Sequence, residues 1–268
     1  MRERETYTHG HDDSVLRSHR WRTVENSAAY VAHRFVPGSS VLDVGCGPGT
    51  ITIDIAQQVA PARVLGIDAS ADVIAEATRA AAQAGVDNVG FAVGDVYALD
   101  HRDHTFDVVH AHQVLQHLAD PVAALREMRR VCDPNGVVAA RDSIYRSFTW
   151  YPKDARLDSW IDLYCAVAEA NGGEPDAGSH LRAWARAAGF GSVDASASAW
   201  CYADEGARLW WGDLWAERVT ATALAARAQE LGLADADDLA RLADGWRAWA
   251  ATPDGWFALL HGEILATP

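Results

Sequence analysis

Three alternate glycines follow an apolar run in Val41-Leu42-Asp43-Val44-Gly45-Cys46-Gly47-Pro48-Gly49-Thr50. Glycine lets the chain turn sharply and lets a ligand lie against the main chain. A helix starting beyond such a turn offers unpaired N–H groups to an anion, whether a pyrophosphate or a carboxylate. The dinucleotide-binding spacing G-x-G-x-x-G/A fails at its last position, which is Thr50. Two acids flank this turn in the expected order. Asp68 ends Gly66-Ile67-Asp68, where a carboxylate at a strand's carboxyl end can accept from both hydroxyls of a ribose. Ser70 is better placed than Asp68 to cap a helix beginning at Ala71. Asp43 lies inside the apolar run, where an unpaired charge is expensive, so it should be tied to N–H groups of the glycine loop or to a ligand's ammonium.

The signal continues at strand spacing. Gly94-Asp95-Val96 ends a third apolar run, and Phe106-Asp107-Val108-Val109 opens a fourth, which runs on to His112-Gln113-Val114-Leu115-Gln116-His117-Leu118. Arg126-Glu127-Met128-Arg129-Arg130-Val131 then leads to Asp133-Pro134-Asn135-Gly136. In this order the five motifs resemble those of the class I S-adenosylmethionine-dependent methyltransferases, over residues 40 to 142. The nearest likeness is to the branch that methylates quinone precursors and other small metabolites. The resemblance implies a Rossmann-like domain and S-adenosylmethionine as cofactor. It implies cofactor contacts at Asp43, Gly45, Cys46, Gly47 and Gly49, ribose binding at Asp68 beside Ala69, and adenine reading at Asp95 and Val96. His112 and Gln113 would meet the methionine moiety. It also implies that the leading segment, Tyr7-Thr8-His9-Gly10-His11, folds over the cofactor as a lid, with Tyr7 at the methionine end.

His112 is the candidate catalytic residue, a general base needed only if the acceptor atom must lose a proton. His110, His112 and His117 share no ligand face, so no metal is expected. The donor's methyl is already activated, which leaves the protein to align donor and nucleophile and exclude water. Two other readings stand beside methyl transfer to a small molecule. One is a nicotinamide-dependent oxidoreductase, disfavoured by Thr50; the other is a non-catalytic S-adenosylmethionine-binding protein.

The 268 residues carry a formal charge of -14, which would repel a phosphate backbone, and no basic cluster stands out apart from Arg126, Arg129 and Arg130 on one helical stretch. Nucleic acid and membrane are not expected partners; a small methyl acceptor is, and a homodimer is left open. The four cysteines form no C-x-x-C pair, and the polar start lacks a secretory apolar stretch, so a reduced cytoplasmic setting is expected.

Apolar runs at residues 39–44, 63–68, 89–95, 106–111 and 136–142 alternate with helical stretches at residues 50–59, 71–84 and 121–131. That alternation predicts βαβ units and an α/β fold: a Rossmann-like, doubly wound, mostly parallel sheet with helices on both faces. The expected organisation is an N-terminal helical segment over 1–36, a cofactor-binding core over 37–145, and helical substrate-side insertions with the final strands of the same sheet over 146–268. Within the flanks, helices are expected at 14–35 (one or two), 150–171, 183–189, 204–230 and 235–251, and strands at 192–199 and 256–265. Ten of the eleven tryptophans fall at or after Trp150. Of Trp210, Trp211, Trp215, Trp246, Trp249 and Trp256, most should build core and one or two should face substrate.

Overall fold

A computed structural model describes residues 13–268. Helix α1 (Asp13–Arg20) leads to the single turn α2 (Val24–Ser27), where Thr23 and Asn26 form a reciprocal capping box, and then to a short 3-10 turn at Ala32–Arg34. The core follows as β1 (Val41–Val44), α3 (Thr50–Val59), β2 (Val64–Asp68), α4 (Ala71–Ala84), β3 (Val89–Val93), β4 (Phe106–His112), α5 (Pro121–Val131) and β5 (Cys132–Ser143). The caps explain the helix boundaries. Ser70 accepts from the Val73 N–H at the start of α4 and Gly85 ends it in a left-handed conformation, while Asp120 caps α5 ahead of Pro121.

Beyond the core come β6 (Thr149–Tyr151), α6 (Ala155–Ala170), α7 (Ala177–Ala188), β7 (Ser192–Tyr202), α8 (Glu205–Ala221), α9 (Ala223–Glu230), α10 (Ala236–Ala251) and β8 (Trp256–Thr267). Three expectations change here, the simplest being that α7 begins at Ala177 rather than at residue 183. Residues 149–151 form a strand rather than the start of a helix, because they pair with Trp256–Ala258 of β8. The stretch 204–230 holds two helices, because the Thr222 hydroxyl donates to the Arg218 carbonyl and accepts from the Leu224 N–H, ending one helix and starting the next.

The sheet order is β3-β2-β1-β4-β5-β8-β6, with β7 pairing β8; β1 to β5 run parallel and β8 runs antiparallel to its neighbours. Strand order reverses between β1 and β4, and in such sheets ligands bind beyond the carboxyl ends of the strands at that switch point. One face of the core packs α5 and α7 around Leu125, Met128 and Leu181; the other packs Val24, Phe35 and α3 against Val41 and Val108. A third cluster joins α6, α8, α9 and α10 to β6 and β8 around Trp160, Trp215, Trp246, Trp249 and Phe257. Trp160 meets Trp215 and Trp246 edge-on at 4.6 and 4.7 Å between ring centroids, a geometry that adds to the burial of apolar area.

Candidate active site

The turn after β1 is shaped by left-handed glycines: Gly45, Gly47 and Gly49 have φ of 66°, 55° and 82°. Their surroundings differ. A Cβ on Gly45 would fall 2.4 Å from Val114 and one on Gly49 would fall 2.8 Å from Phe91, so both must stay glycine for packing as well as for backbone. A Cβ on Gly47 would stand in ordinary contact with the His19 ring, at 3.8 Å, and meet no other atom of the described residues within 4 Å. Gly49 is the N-cap of α3 and supplies no side-chain cap, so the helix's first N–H groups stay available. Cys46 anchors the turn by donating its N–H to the Ile67 carbonyl at 2.9 Å, and burial pushes its thiol up, which keeps it protonated.

Asp68 stands across the loop. Its carboxylate accepts the Gly47 N–H at 3.1 Å and the Ser70 N–H at 3.0 Å, while Ala69 beside it is exposed. Asp95 is exposed beyond β3 and accepts the Tyr97 N–H at 2.9 Å in a tight turn, and Val96 packs against the α5 side of the core. For Asp43 one of the two expected pairings, that with the glycine loop, changes. It is buried, but its partners are the Thr52 hydroxyl at 2.6 Å and the His110 Nδ1 at 2.7 Å, not the glycine loop. Helix α3 turns Thr52 back beneath β1, and register sets His110 beside Asp43.

At the end of β4 the chain turns at Gln113, a non-glycine residue held at φ 55°. That conformation costs of order 1–3 kcal/mol and persists only where the surroundings enforce it. Here the Gln113 N–H donates to the Arg141 carbonyl at 2.7 Å, and its side-chain amide lies 3.0 Å from Ser143 Oγ and 2.9 Å from His261 Nε2 while also meeting Arg22. His112 is buried, with neither ring nitrogen hydrogen-bonded among the described residues, and burial holds it well below its ordinary pKa and therefore neutral. His117 is likewise held neutral by burial, near 3.

Gln113, Ser143 and His117 line a small cavity closed on its far side by Trp200, Tyr202, Trp210, Trp211 and Trp215, with Arg22 and Arg218 at its polar edge. Trp200, which helps to wall this cavity, lies against the His112 ring at 5.8 Å. Helix α1 roofs the region. The Thr50 hydroxyl donates to the His19 carbonyl at 3.1 Å, Arg20 pairs with Glu76 of α4 at 2.8 Å, and Arg17 pairs with Glu217 of α8. Tyr7 lies outside the described residues. Sequence reasoning missed Arg22, Arg141, His261 and Glu263, which meet only through strand register and the crossing of the N-terminal segment.

The glycine turn after β1, the acid ending β2 and the crevice at the β1–β4 switch point define a Rossmann-like transferase domain. The family pattern described as a methyltransferase domain matches residues 36–189, and the chain belongs to that family as an S-adenosylmethionine-dependent methyltransferase. An uncharacterised methyltransferase of Schizosaccharomyces pombe is 34% identical over 97% of this chain and 95% of the relative. The ubiquinone/menaquinone biosynthesis C-methyltransferase of Bdellovibrio bacteriovorus is 36% identical, but over only 38% of this chain and 43% of its own length. The crystal structure of a putative methyltransferase from Bacillus halodurans superposes with a TM-score of 0.57 at 17% identity, covering 90% of this chain and 98% of that one.

Proposed function

We propose that the chain binds S-adenosylmethionine along the carboxyl ends of β1, β2 and β3 and transfers its methyl to a small molecule that approaches from the side lined by Trp200, Trp210 and Trp211. The observation that carries this is the Gly47 turn, uncrowded among the described residues except for the His19 ring and bordered by the Asp68 carboxylate and by the start of α3, which has no side-chain cap. These groups fit the cofactor: the loop and α3 offer N–H donors to its carboxylate, and Asp68 retains lone pairs for the ribose hydroxyls. When bound, the sulfonium supplies an activated methyl.

The protein's own part is placement. Asp68 fixes the ribose, the Asp95–Val96 turn borders the adenine, and Gln113, held rigid at its strained turn, sets the methionine end facing the cavity. Alignment of this kind is worth on the order of 7 to 11 kcal/mol. The roof formed by α1 excludes water. For an acceptor that must lose a proton, His112 is the base candidate, being neutral and without a partner among the described residues. A small-molecule acceptor, rather than a nucleic acid, suits the charge of -14, and the reading extends to a cytoplasmic enzyme.

Calorimetric titration with S-adenosylhomocysteine and with NAD tests the donor site. Only the former should bind. Asp68→Ala removes two charge-assisted hydrogen bonds of roughly 1.5 to 3 kcal/mol each and should weaken that binding by about 100-fold or more, with Asp68→Asn in between. A change below about threefold for Asp68→Ala removes Asp68 from the site.

A further inference from the structure

A row of side chains links the N-terminal segment to the antiparallel end of the sheet. Arg22 Nη2 meets Gln113 Oε1, Gln113 Nε2 lies 2.9 Å from His261 Nε2, and His261 Nδ1 lies 3.0 Å from Arg141 Nη2. Both ends of the row are guanidinium groups, which only donate. Between them stand one amide, with a single acceptor oxygen, and one imidazole. Burial, with Arg141 and Arg22 close by, holds that imidazole neutral, so it carries one N–H and one lone pair.

These groups cannot satisfy all of their contacts at once. If Arg141 donates to Nδ1, the His261 proton sits on Nε2 and faces the Gln113 NH2, donor against donor. If His261 keeps its proton on Nδ1 and accepts from Gln113, the clash moves to Arg141. If the amide is turned so that Oε1 accepts from His261 Nε2–H, its NH2 faces Arg22. Turning the imidazole over puts carbon at both contacts, and protonating it adds a donor. Ser143 takes no side, because its hydroxyl, 3.0 Å from the amide nitrogen, can accept from that nitrogen or donate to an oxygen in its place. His261 is 0% exposed, so water does not relieve the mismatch, and a buried donor without an acceptor is costly.

Withdrawal of Arg22 clears the row. The amide can then turn, Oε1 accepts from His261 Nε2–H, and Arg141 donates to Nδ1. Arg22 does not move alone, because the same segment packs Trp21 against Trp200 and Trp210 and brings the His19 ring to the Gly47 loop. We propose that Arg22 and His261 compete for the one acceptor of Gln113, so that the N-terminal arm is seated against a mismatched hydrogen bond and the turn of a single amide eases its release from the Gly47 loop. The competition is independent of what the loop binds.

Hydrogen exchange of the backbone amides of residues 17–22, followed by mass spectrometry on the full chain, reads how firmly the arm is seated. His261→Phe removes the competitor and leaves Oε1 to Arg22, so exchange should slow by about threefold or more. In an Arg22→Met background the same change should bring no slowing. Gln113→Met removes the contact and the mismatch together, so exchange should stay within about twofold of wild type. A contact that simply fastened the arm would give the opposite pattern: exchange unchanged or faster in His261→Phe, and faster by more than about threefold in Gln113→Met. Either result would overturn the proposal, as would slowing that persists without Arg22. Should His261→Phe fail to fold, Gln113→Met decides on its own.

Discussion

The two halves of this molecule hold their working parts by different means. From Val41 to Gln113 the key atoms belong to turns: left-handed glycines, a helix start, and an acid closing β2. From Thr149 onward the walls of the cavity are side chains fixed by rings packed on rings, Trp160, Trp215 and Trp246 among them, drawn from segments nearly a hundred residues apart. A backbone cradle can lose its ligand without losing the fold. An aromatic wall cannot be altered without disturbing what holds it up.

The largest effect is expected in the aromatic half. Trp246 is fully buried and central to its cluster, so Trp246→Ala should cost about 3 to 5 kcal/mol of stability, read by denaturant unfolding. A loss under about 1 kcal/mol would show that this half is loosely packed. Gly47→Val should do the reverse. Among the described residues only the His19 ring comes within 4 Å of the added Cβ, the left-handed φ adds of order 1–3 kcal/mol of strain, and binding of S-adenosylhomocysteine should disappear while the chain stays folded. Unchanged affinity would break the contrast between the halves.

A subtler effect concerns Asp142, on β5 between them. Burial pushes its pKa up to about 8, with the Gln116 N–H at 3.2 Å only partly offsetting it. The unfolded chain ionises this group near about 3.9, so between those two values the native state holds a proton that the unfolded state has released, and stability falls as pH rises. The melting temperature of wild type relative to Asp142→Asn should therefore decline from about pH 5 to about pH 8 and level off above. A constant difference would count against the buried, protonated acid. The smallest thermal effect should come from deleting residues 1 to 20. The ion pairs of Arg17 and Arg20 are partly exposed and worth about 0–1 kcal/mol each, so turnover should fall further than stability. Equal losses would make the segment structural rather than a lid.

What could be read from the sequence follows the same division. Helices Thr50–Val59, Ala71–Ala84 and Pro121–Val131 carry their own start signals, and the glycine turn with Asp68 is a local pattern, so all were visible one residue after another. Strand Thr149–Tyr151 is three residues whose partner lies a hundred positions later, and Thr222 breaks a helix from within an alanine-rich stretch whose composition says helix. Asp43 showed the limit of reasoning from burial alone: it needed partners, but His110 reaches it only because β1 pairs with β4. Arg141, Glu263 and Ser198 likewise meet through register across three strands, β5, β8 and β7.

One ring contact has an optical consequence. Trp21 is the single tryptophan before residue 150, and it sits edge-on to Trp200 with 86° between the ring planes and close to Trp210 as well. Indoles this near share their electronic transitions, so the seating of the N-terminal arm should write itself into the near-ultraviolet circular dichroism as a signal that Trp21→Phe removes. The arm thus carries its own chromophore, and whether it is seated can be read in solution without attaching a dye.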